Sequence, residues 1–123
     1  MARSRRQRRK RPGAPLALST DGSLYVTAPT LSSYDWVYRV SPDGTVSKRD
    51  TSFGRPQGLA FDGSGTLFVT EALAGNSGLY RVASSCSPEL VLAGPGLVGV
   101  AFGPRGGLVV CSNETAYRLA RPN

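Results

Sequence analysis

The chain has 123 residues, a formal net charge of +7 and no histidine. That length allows one domain, and the missing His excludes His-based triads, His-ligated zinc or haem, and imidazole acid–base chemistry. The two cysteines, Cys86 and Cys111, form no C-x-x-C pair, are too few for a disulfide framework, and lack a His to activate a thiolate.

The first element is a basic tail. Residues 1–11 carry Arg3, Arg5, Arg6, Arg8, Arg9, Lys10 and Arg11 and no acid, while the other eight cations balance all eight acids. The +7 therefore belongs to the tail, and the body is neutral. Residues 1–15 are expected to be disordered. Such a run suits non-specific nucleic-acid binding through phosphates, because it has no aromatics to stack on bases and no base-reading element. It also reads as a nuclear-import-like or RNA-contacting arm, or as upstream sequence before a truncated gene. The stretch Pro12–Thr20 is too short and Pro-broken for the apolar core of a secretory signal, so a cytoplasmic location is the default expectation. No run of 18 apolar residues occurs, and no membrane partner is expected.

From residue 16 onward the chain repeats itself. Leu16-Ala17-Leu18-Ser19-Thr20-Asp21-Gly22-Ser23-Leu24-Tyr25-Val26-Thr27 aligns with Gly58-Leu59-Ala60-Phe61-Asp62-Gly63-Ser64-Gly65-Thr66-Leu67-Phe68-Val69-Thr70, and both align with Gly99–Cys111. A second marker follows each: Tyr38-Arg39-Val40, Tyr80-Arg81-Val82 and Tyr117-Arg118-Leu119. Each unit is predicted to form four short strands. The first unit places them at 16–20, 24–28, 36–40 and 45–50, and the second at 58–62, 67–71, 78–83 and 88–93. The third gives 98–103, 108–112 and 116–120. Asp21-Gly22, with Asp62-Gly63 and Gly106-Gly107 at the matching places, is expected to form type I′ hairpin turns. Nine Pro and fifteen Gly punctuate the chain against helices.

Near-continuous apolar runs such as Leu67-Phe68-Val69 and Leu108-Val109-Val110 mark strands covered on both faces. A four-stranded unit of 40–45 residues, buried on both faces, defines a propeller blade. The expected fold is all-β: a partial β-propeller of about three four-stranded antiparallel blades, at 16–57, 58–97 and 98–123. Tyr38, Tyr80 and Tyr117 read as packing residues, with Arg39, Arg81 and Arg118 on the other side of their strands.

The string Gly58-Leu59-Ala60-Phe61-Asp62, then Gly65-Thr66-Leu67-Phe68-Val69-Thr70, then Gly78-Leu79-Tyr80-Arg81-Val82 resembles a blade of the gluconolactonase and senescence-marker-protein (regucalcin-like) propellers. NHL-type repeats share this grammar. The resemblance spans roughly 16–120. It implies a six-bladed ring and, in the enzymes of the family, a divalent cation (calcium or zinc) in the central channel where a lactone is hydrolysed. The sequence itself requires no cofactor, and no ligand motif of the family matches here residue by residue.

In a propeller, the loops after the second and fourth strands open on one face. Here that face would carry Tyr34, Asp35, Arg55, Gln57, Glu71, Asn76, Asn113 and Glu114. Glu71 and Asn113 are the candidate oxygen ligands for a cation, and a solvated strand-end carboxylate is the plainer reading of Glu71. Three blades do not close a ring. Two copies are expected to complete a six-bladed one, or else the chain is a fragment of low stability. The expected function is a truncated gluconolactonase/NHL-like propeller acting as a non-catalytic interaction or ligand-binding module. The alternatives are a metal-dependent lactonase-like hydrolase in an assembled ring, and non-specific nucleic-acid binding by the tail.

Overall fold

A computed structural model describes residues 16–27, 34–73, 77–83 and 87–119. The basic tail, Asn76 and Cys86 lie outside the described residues. Eleven strands are present among the described residues. The first sheet holds β1 (Leu16–Leu18), β2 (Leu24–Val26), β3 (Tyr34–Val40) and β4 (Val46–Gly54). The second holds β5 (Pro56–Phe61), β6 (Leu67–Glu71), β7 (Gly78–Val82) and β8 (Glu89–Ala93). The third holds β9 (Leu97–Phe102), β10 (Leu108–Ser112) and β11 (Ala116–Leu119). In every sheet the strands follow chain order, and every neighbouring pair is antiparallel. The leading strands lie side by side, β1 against β5 and β5 against β9. Sheets built outward from adjoining first strands and stacked face to face are propeller blades, so the fold is a partial β-propeller of three blades.

The turns differ from the expected type. Four hairpins close with one glycine each at positive φ: Gly22, Gly44, Gly65 and Gly106, between 81° and 89°. The residues that pair across the turns are Ser19 with Ser23, Ser41 with Thr45, Asp62 with Thr66, and Gly103 with Gly107. Each loop thus holds three residues, a type I turn followed by a left-handed glycine, rather than the two left-handed residues of type I′. In the second blade the glycine that matters is Gly65, not Gly63. Aspartate supports these turns with its side chain. Asp21 Oδ1 accepts the Ser23 amide proton at 2.8 Å, Asp43 Oδ1 accepts that of Thr45 at 2.9 Å, and Asp62 Oδ1 accepts those of Ser64 at 3.0 Å and Thr66 at 2.9 Å.

Two apolar layers hold the blades together. Tyr25, Val37 and Phe53 from the first sheet bury against Leu59, Leu67, Val69 and Val82 from the second. The opposite face of the second sheet supplies Phe68 and Leu79, which bury with Leu97 and Val110 of the third. Alternation along β6 explains the double use: Leu67 and Val69 point to one neighbour and Phe68 to the other. Each layer carries an edge-to-face aromatic pair, Tyr25–Phe61 with centroids 4.9 Å apart and Phe68–Phe102 at 5.0 Å. Of the repeated tyrosines, only Tyr80 packs into a layer. Tyr38 and Tyr117 are exposed. Among the described residues no sheet lies before the first to cover Tyr38, and no fourth strand lies beside Tyr117 in the third.

Candidate functional site

The site is built on the crossover from the first blade to the second. β4 ends at Gly54 and β5 begins at Pro56, so the chain must turn within Arg55. Arg55 does so at φ 50°, the one non-glycine residue in the left-handed region among those described. Three backbone bonds tie this turn to the end of β6. The Ala72 amide donates to the carbonyls of Gly54 and Arg55, both at 3.2 Å, and the Leu73 amide donates to that of Gly54 at 3.3 Å. The Gly54 amide in turn donates to Glu71 Oε2 at 2.9 Å. Gly54 needs to be glycine, because a Cβ there would stand 2.6 Å from the Leu73 Cβ.

Glu71 is therefore not a solvated strand end. It is 8% exposed and closes a strand in which every residue is buried. Burial pushes its carboxyl above the usual range, against the opposing pull of the Gly54 amide. Tyr80 is raised too, first by its own burial and then by the Glu71 charge.

The other sequence-predicted residues fall into two groups. Register pairs Tyr34 with Gly54, Asp35 with Phe53, and Pro56 with Glu71. That brings Tyr34, Asp35, Arg55, Gln57 and Glu71 to one end of the first joint. Tyr34 and Arg55 are exposed there, Gln57 is half-buried and Asp35 is buried. Asn113 and Glu114 lie elsewhere, on the exposed turn between β10 and β11. That turn borders a groove of about 660 Å³ between the second and third blades. Leu92, Leu97, Tyr117 and Leu119 give the groove apolar walls, and Ser112, Asn113 and Glu114 give it a polar rim. Sequence reasoning missed this groove. Leu92 and Leu119 read there as ordinary strand residues, and their meeting depends on how the two blades stack.

The divalent cation implied by the family resemblance can be tested against these residues. A hard cation collects about six to eight oxygens. Glu71 instead presents an oxygen to an amide proton, and Asn113 belongs to the other joint. Among the described residues no cluster of three or more Asp, Glu or Cys side chains is spaced to hold a metal ion. The described residues do not fit the cation. Cys111 is a free, half-buried thiol.

Comparison with known proteins agrees with this architecture. The chain is similar to a crystal structure of a protein provisionally described as a gluconolactonase, at 25% identity and a TM-score of 0.67. The match covers 85% of this chain and 43% of the other, so the chain spans less than half of that protein. No protein-family model matches the chain, and no curated protein matches it by sequence. The fold defines a β-propeller arc. More narrowly, that arc is similar in fold to part of a gluconolactonase-like propeller. No helix among the described residues is long and apolar enough to cross a membrane.

Proposed function

We propose that this chain is a non-catalytic, gluconolactonase-like propeller module that binds a ligand or partner on its loop face. One observation carries the reading. The buried acidic side chain that ends β6, Glu71, braces the crossover between blades through the Gly54 amide. A carboxylate used in this way supports the scaffold and is a poor ligand or base. The groove beside Tyr117 and Asn113 offers apolar walls with a polar rim, the usual composition of a binding site.

The lactonase alternative draws its support from the structural likeness to a protein provisionally described as a gluconolactonase. One experiment separates the two. The protein is titrated with calcium and with zinc by calorimetry, and lactone hydrolysis is followed with each metal present. The binding-module reading expects no metal heat and no hydrolysis above buffer. Metal-stimulated hydrolysis that disappears in Glu71→Ala would overturn it.

A further inference from the structure

The two joints between blades follow one rule, and that rule describes the two faces left open. Position by position, the face that each blade turns toward its predecessor is the same. In the second blade it is Leu59, Phe61, Leu67, Val69 and Val82, all packed at the first joint. In the third it is Val100, Phe102, Leu108, Val110 and Leu119, all packed at the second. Strand register assigns the equivalent positions of the first blade to Leu16, Leu18, Leu24, Val26 and Val40, on one face of its sheet. Among the described residues nothing covers that face: Leu16 is 58% and Leu18 66% exposed, and Val46, paired with Val40 on β4, is also exposed.

The face turned toward the following blade repeats as well. Ala17 pairs with Tyr25, and both pack at the first joint; Ala60 pairs with Phe68, and Phe68 packs at the second. Their equivalents in the third blade are Ala101 and Val109, paired in the same register, with Cys111 further along the same strand face. Among the described residues this face is open as well, with Ala101 exposed and Val109 half-buried. Where the joints inside the chain place Tyr25 on Phe61 and Phe68 on Phe102, the open faces offer Val109 and Leu18. Both are aliphatic and of matching kind.

We propose that the open face of the first blade receives the free face of the third blade of a second copy of this chain, so that two copies close one ring. The occupant follows from continuity: the missing partner of each face must carry the pattern of a blade, and this chain carries both halves. The span agrees, since one copy covers 43% of the solved propeller that it resembles and two cover nearly all of it. The neutral body sets no net repulsion between copies. Head-to-tail contacts of this kind give closed rings when the rotation per copy allows and open fibres when it does not. The inference is independent of any ligand or metal, and its readout is mass.

Light scattering on the full chain is expected to give twice the 13.0 kDa of one copy. Leu18→Arg is expected to give a monomer with unchanged β-sheet circular dichroism, while Val91→Asp, on the outer strand of the second blade, stays dimeric. A second variant guards against loss of folding. Leu18→Cys with Val109→Cys, in a Cys86→Ser, Cys111→Ser background, is expected to form a covalent closed dimer on mild oxidation. A folded wild-type monomer, an open polymer, a dimer indifferent to Leu18→Arg, or no cross-link between the paired cysteines would each overturn the proposal.

Discussion

The Glu71 carboxylate accepts the Gly54 amide proton at 2.9 Å, across the joint between the first and second blades. This one bond links the last strand of one blade to the second strand of the next. Replacing Glu71 with Ala leaves a buried amide without its acceptor, at a cost of about 1–3 kcal/mol. Glu71→Gln keeps a carbonyl oxygen for Gly54 and removes the buried charge. The alanine variant is expected to unfold at lower denaturant than wild type, and the glutamine variant to match or exceed wild type. Urea melts of the three proteins check this ordering. A glutamine variant as weak as the alanine one would show that the charge itself is needed.

The same residue sets a pH dependence. Glu71 is raised in the folded protein above its ordinary 4.5, so the native state holds its proton more tightly than the unfolded one. Above its folded value the buried charge costs stability, and acidification toward 4.5 removes that cost. Asp21 has the opposite sign. Bonds from Ser23 and then Arg39 hold it at about 2, so its contribution is present above the unfolded value of 3.8 and is lost as pH falls through about 2. The thermal midpoint of Glu71→Gln is therefore expected to exceed that of wild type most at neutral pH, with the gap narrowing toward 4.5. Asp21→Asn is expected to flatten only the acid limb. Parallel melts across pH read both effects.

Much of the fold was legible in the sequence because the repeat encodes faces. The pairs Leu67/Val69 and Leu108/Val110 recur at fixed spacing, and alternation sends each pair to the preceding blade. The turns were legible in place but not in type. Asp21-Gly22 suggests two left-handed residues, yet Asp21 serves better as an acceptor for Ser23 while Gly22 alone takes the positive φ. The site was legible only as a set of polar residues. Glu71 ends an apolar strand, as a solvated residue would. That it is buried depends on Gly54, seventeen positions earlier, and no local pattern joins the two. The left-handed Arg55 was equally hidden, because no residue type at that position announces positive φ.

A close approach of backbones makes a third prediction. A Cβ at Gly58 would lie 2.9 Å from Thr70 Oγ1 and 3.0 Å from the Gly99 Cα, where β5 passes β9. Part of that obstacle is backbone, which cannot rotate away. A Cβ at Gly99 would meet the Cys111 Sγ at 2.8 Å, the far end of a small side chain. Overpacking of a tight core costs about 1–3 kcal/mol. Gly58→Ala is expected to sit at the upper end of that range and to resist rescue by Thr70→Ala. Gly99→Ala is expected to recover most of its loss when combined with Cys111→Ala. Double-mutant cycles by chemical denaturation measure the difference, and equal rescue at both sites would refute the argument.

The basic tail yields the last prediction. Seven cations stand in the first eleven residues, and the body beyond them is neutral. If the tail binds nucleic acid, each phosphate neutralised releases counterions, and affinity falls with salt at a log–log slope no steeper than about −6. With no aromatic in the run, single strands of different base composition should bind alike. Binding of fluorescent DNA and RNA oligonucleotides is compared between the full chain and a variant lacking residues 1–11. Salt-sensitive binding is expected in the first and not in the second. Removing the tail is expected to leave the melting temperature unchanged, because a run of seven cations without an aromatic brings almost no apolar surface to bury. Binding that survives the deletion would move the contact to the propeller body.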